Sequence, residues 1–67
     1  MKWQEWKDEL GRCYVCGPYV VREHAVLSGI VYWRLDGNGM TPEESRDPEL
    51  LKLSAERHAR SQRIPVP

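Results

Sequence analysis

The chain has 67 residues, with ten Lys or Arg against ten Asp or Glu, so its formal net charge is zero. A chain of this length makes one domain, and it buries too little apolar surface to be comfortably stable without a staple. Zero net charge argues against a protein that holds nucleic acid by general electrostatics, and no apolar run approaches the roughly 18 residues that a membrane span requires.

The first residues, Met1-Lys2-Trp3-Gln4-Glu5, carry no apolar h-region, so a cytoplasmic, reducing location is expected. Trp3, Trp6 and Leu10 recur at helical spacing, with Gly11 where a left-handed C-cap would stand, and this predicts a short N-terminal helix. Cys13-Tyr14-Val15-Cys16-Gly17-Pro18 comes next and uses both cysteines of the chain. Their spacing lets one tight turn aim two thiolates at one ion, which is half of a tetrahedral zinc site. It also fits a redox motif, a strained disulfide or a pair of plain buried thiols. The redox reading is the weakest, because no βαβ strand precedes the motif. A reducing location weakens the disulfide.

Tyr19 to Val26 is a β-branched and aromatic run that favours strand, and Ser28-Gly29 is a turn. Ile30-Val31-Tyr32-Trp33-Arg34-Leu35 is the strongest strand signal in the chain, closed by Asp36-Gly37-Asn38-Gly39. A β-hairpin is expected from these two runs. Thr41-Pro42-Glu43-Glu44 has the grammar of a helix start and predicts one helical turn. Asp47-Pro48-Glu49-Leu50 repeats that grammar and opens a main helix from about Pro48 to about Ser61. Ile64-Pro65-Val66-Pro67 cannot continue a helix and reads as an extended tail. The expected architecture is a small α+β domain over residues 1–63, treble-clef-like, with helix, zinc knuckle, hairpin and helix in that order; residues 64–67 form the tail.

On the main helix Leu51, Ala55, His58 and Gln62 share one stripe, with Leu50 and Ala59 beside it, so His58 is expected to lean toward the hairpin. Leu50, Leu51 and Leu53 read as core, as do Trp3, Trp6 and Trp33. Arg57, Arg60 and Arg63 form a row on the outward side, either a solvated face or a weak nucleic-acid contact. With only His24 and His58 to complement Cys13 and Cys16, the four residues make a complete zinc ligand set. The alternative for His58 is a partly buried histidine hydrogen-bonded to a carbonyl.

The order of knuckle, Glu23-His24 strand, hairpin and helix resembles the His-Asn-His (HNH) nuclease family, which is built on a treble-clef ββα-metal scaffold. Zinc-containing members carry Leu-Cys-x-x-Cys-His after a Pro-Glu/Asp-Asn-Leu helix start. Here Asp47-Pro48-Glu49-Leu50 leads into Leu53-Ser54-Ala55-Glu56-Arg57-His58, with Ser54 and Arg57 at the places of the second cysteine pair. The resemblance implies that His24 is the general base activating water, that Asn38 orients it and that His58 ligates a catalytic Mg or Mn ion. If His24 instead binds zinc, it cannot also be the base.

Three readings follow. The leading one is a zinc-stabilised, non-catalytic module that docks on a protein or nucleic-acid partner. The second is a minimal HNH-like, metal-dependent endonuclease. The third is a metal-free interaction protein, of the kind that phages or mobile elements use to inhibit a host machine; a neutral chain rich in aromatic and charged residues suffices for it.

Overall fold

The computed structural model describes residues 1–9, 11–26, 28–37 and 39–66. Five strands, β1 (Gln4–Asp8), β2 (Gly11–Cys16), β3 (Tyr19–Ala25), β4 (Val31–Asp36) and β5 (Glu43–Ser45), precede one helix, α1 (Pro48–Gln62). The strands form a single antiparallel sheet in chain order, β1-β2-β3-β4-β5. The architecture is therefore mostly β, and the expected treble-clef-like α+β arrangement is not formed.

Two expected elements are corrected. The N-terminal segment is strand rather than helix: Gln4–Asp8 pairs with Gly11–Val15, although Leu10 itself lies outside the described residues. Gly11 does adopt positive φ, at +123°, but as the first residue of β2 instead of a helix cap. A Cβ there would lie 2.7 Å from Glu23 Oε1, the movable end of a flexible side chain, so it is the positive φ that calls for glycine. The turn expected at Thr41-Pro42-Glu43-Glu44 is likewise a strand, since β5 pairs with β4 through Leu35↔Glu43, Arg34↔Glu44 and Trp33↔Ser45. Glu43 gains a further tie there, accepting the Ser54 hydroxyl of α1 at 2.8 Å.

The β3–β4 hairpin and the main helix stand where the sequence put them. Asp47 caps α1 by accepting the Glu49 N–H at 3.0 Å, and Pro48 fills the first turn, where its missing N–H costs nothing. Arg63 ends the helix in the left-handed region and donates its N–H to the Ala59 and Arg60 carbonyls.

α1 lies across β3, β4 and β5 on one face of the sheet, with the Lys52 side chain extending over β2 to the Tyr14 ring, and it does not reach β1. The core is the seam between them: Leu51, Ala55 and Ala59 from the helix against Tyr19, Val21, Trp33 and Leu35 from the sheet. Two alanines in the helical stripe let the helix axis come close to the strands. Trp3, Tyr14, Met40, Ile64 and Val66 close the margins of this seam, so the tail packs back on the domain. The Leu51, Ala55, Ala59 stripe is narrower than expected. Leu50 and Leu53 are 57% and 51% exposed, and Trp6 is 58% exposed, so these three are not core residues.

This partition fixes an expected mutational contrast. Leu35→Ala removes a fully buried side chain from the middle of the seam and should cost about 3 kcal/mol of unfolding free energy. Leu50→Ala should change stability by less than about 0.5 kcal/mol. Urea unfolding of the two variants beside the parent chain measures both.

Candidate functional site on the uncovered sheet face

Side chains alternate across a strand, so the registers assign each strand residue to the helix-covered face or to the opposite one. Tyr14, Cys16, Tyr19, Val21, Trp33 and Leu35 share the helix side, while Cys13, Arg22, His24, Tyr32 and Arg34 share the other. Cys13 and Cys16 are thus separated: three positions apart in β2, they stand about 10 Å apart along the strand and point to opposite faces. A zinc ion holding two thiolates at about 2.3 Å each cannot bridge them, nor can a disulfide. Both thiols are buried, and neither takes part in a disulfide.

The other two expected zinc ligands are divided in the same way. His24 lies on the open face, stacked on its cross-strand partner Tyr32 with ring centroids 5.3 Å apart and planes at 13°. His58 leans from α1 toward the sheet, as expected, and meets Tyr19: Tyr19 Oη and His58 Nδ1 are 2.8 Å apart. Burial raises the Tyr19 phenol above its ordinary pKa, so it stays protonated, and the direction of its hydrogen bond with the His58 ring follows the imidazole tautomer. His58 is therefore a half-buried, satisfied histidine, as in the alternative reading, but its partner is a phenol where a carbonyl was expected. Among the described residues no group of three or more His, Cys, Asp or Glu side chains could hold a metal ion. The set Cys13, Cys16, His24 and His58 does not converge, and the zinc knuckle is not formed.

The same geometry bears on the nuclease constellation. His24 and His58 lie on opposite sides of the sheet, so a base and a metal ligand at these positions cannot act on one phosphodiester. Asn38 lies outside the described residues. Arg57, Arg60 and Arg63 are all exposed. Arg60 and Arg63 border a shallow concavity of about 310 Å³ that also touches Met1, Glu56, Ile64 and Val66 and holds no nucleophile or imidazole.

What the sheet does bring together is a cross-strand ladder on its open face, running Trp6, Cys13, Arg22, Arg34 and Glu44 from β1 to β5. Its centre is two guanidiniums directly opposite one another. Arg22 reaches Asp8 at 3.3 Å and Arg34 reaches Asp36 at 3.4 Å, and all four side chains keep substantial exposure to water. The His24–Tyr32 stack occupies the adjoining rung. The helix-side face has its own charged fringe, where Arg12 lies over the Trp33 ring and 3.6 Å from Glu23, and Lys52 caps the Tyr14 ring at 3.7 Å. Burial first, and Glu5 second, raise the Tyr14 phenol. Sequence reasoning missed the Arg22–Arg34 pair because its signal, equal distance from the Ser28-Gly29 turn, appears only once the hairpin register is known.

No protein family, curated protein or solved structure matches the chain. No helix among the described residues is long and apolar enough to cross a membrane.

Two outcomes are expected. Chelation with EDTA should leave the thermal unfolding midpoint unchanged, as read by circular dichroism with and without chelator. His58→Ala, which orphans the buried Tyr19 hydroxyl, should cost about 2 kcal/mol, whereas Tyr19→Phe, which frees an imidazole nitrogen with access to water, should cost about 1 kcal/mol. Denaturant titration of the two variants gives the order.

Proposed function

We propose that the protein is a metal-free, non-catalytic binding module that docks on a protein partner through its uncovered sheet face. The observation that carries this reading is the Arg22–Arg34 pair beside the His24–Tyr32 stack. Like charges placed directly opposite in a sheet are destabilising, so this rung weakens the isolated fold slightly. A partner carboxylate set between the two guanidiniums would turn that repulsion into two charge-assisted hydrogen bonds. Arg and Tyr are also the residue types that carry binding energy at protein interfaces.

A protein surface suits this face better than a nucleic acid does. Asp8, Asp36 and Glu44 surround the arginines, and a polyphosphate chain laid across the sheet would meet those carboxylates as often as the guanidiniums. The formal net charge of zero gives no long-range attraction to compensate.

The test is site-specific photo-crosslinking in the native host, with a benzophenone amino acid replacing Tyr32 on the open face or Leu53 on the exposed side of the helix. A discrete, protease-sensitive and nuclease-resistant adduct is expected from position 32 alone. Arg34→Leu should abolish that adduct while leaving the melting temperature equal or higher, because it removes the like-charge contact. Equal adducts from both positions, or an adduct indifferent to Arg34, would sink the reading.

A further inference from the structure

β1 is paired on one side only, and its residues Gln4 to Asp8 are all exposed. The helix lies over β3, β4 and β5, and nothing else in the described chain covers the outer edge of β1. An unpaired edge of this kind presents a row of backbone donors and acceptors to any strand that can lie beside it. From its sequence and register, we infer that this edge pairs with β1 of a second copy of the chain, joining two sheets into one of ten strands with both helices on the same side.

The argument is the charge order along the strand. Two antiparallel copies related by a two-fold axis through Trp6 set Glu5 opposite Lys7 of the other copy, Lys7 opposite Glu5, and Gln4 opposite Asp8. Trp6 then faces Trp6. The two Glu5–Lys7 rungs and the Trp6–Trp6 rung are favourable, since opposite charges and aromatic pairs directly across a strand boundary stabilise it, and the Gln4–Asp8 rungs set no like charges together. Sliding the copies to the neighbouring symmetric register in one direction sets Glu5 against Glu5, and in the other Lys7 against Lys7. The sequence thus favours one symmetric register over both of its neighbours.

Two further observations favour the same occupant. Within its own chain Lys7 stands opposite Arg12, a like charge, and the ion pairs among the described residues engage Arg12, Arg22, Arg34 and Lys52 but not Lys7. The Glu5 carboxylate of a second copy would supply the anion that Lys7 lacks. Trp6, 58% exposed on the open face, would gain an aromatic neighbour in a position where its own chain offers none beyond the edge. Because α1 stops short of β1, the two helices do not collide.

The test is a charge swap read by sedimentation equilibrium across the micromolar to millimolar range. The parent chain should be a reversible dimer. Glu5→Lys and Lys7→Glu, each alone, should weaken self-association by about tenfold or more, since each puts two like-charge rungs at the boundary. An equimolar mixture of these two single variants should associate as a heterodimer, and the chain carrying both changes should regain parental self-association. Amide exchange in β1 of the parent chain should slow with protein concentration, which needs no variant to fold. A parent chain that stays monomeric at millimolar concentration, or single variants that show no preference for each other when mixed, would overturn the proposal. A heterologous peptide that protects β1 while the parent chain remains monomeric would overturn it as well.

Discussion

The seam between one helical stripe and three strands is the constraint on which the rest of this molecule depends. Leu51, Ala55 and Ala59 meet Tyr19, Val21, Trp33 and Leu35, and among the described residues no second layer shares the burden. With alanine at two of three helical positions, stability comes from close approach rather than from side-chain volume. The Tyr19–His58 hydrogen bond sits within this seam and satisfies a hydroxyl that the packing has taken out of water. A core of this size covers one face over three strands and leaves much of the opposite face and the β1 edge to solvent. Both surfaces assigned to binding are consequences of that shortage.

The C-terminal half was legible because its signals are local. Asp47-Pro48 fixes a helix start by cap chemistry alone, and the Val31 to Leu35 run has only one comfortable conformation. The N-terminal half was not, because two periods compete in it. Trp3, Trp6 and Leu10 fit a helical stripe, yet in the strand Trp3 turns toward the core while Trp6 turns away from it. Pairing with β2 decides the matter, and pairing is not visible one segment at a time. The same blindness produced the helical turn expected at Thr41-Pro42-Glu43-Glu44, where a long-range ladder with β4 and the Ser54 contact outweigh a good capping sequence.

The candidate site illustrates how spacing misleads when the backbone is extended. Cys-x-x-Cys converges only around a turn; in a strand, the odd separation sends the second thiol to the other side of the sheet. Here the turn falls just beyond the second cysteine, at Gly17-Pro18, where Gly17 takes φ of +59°. Tyr14 and Val15, both strand formers, sat between the cysteines as a signal against a knuckle. His58 was placed correctly toward the hairpin, but its partner is a phenol rather than a metal. The resemblance to HNH nucleases rested on element order, beginning with a knuckle whose residues here lie in the strand β2.

The meander also determines how the chain finds its structure. Every strand neighbours the one before it, so the ladders form between segments joined by short connections, and little loop-closure entropy opposes them. The docking of α1 is different in kind, since Tyr19 and His58 are 39 residues apart in the chain. Hairpins that assemble early therefore have one greasy side bare until the last element folds back. In that interval the charged residues along β1 act as gatekeepers, restricting a sticky, half-finished sheet to a single permitted neighbour in place of indiscriminate stacking.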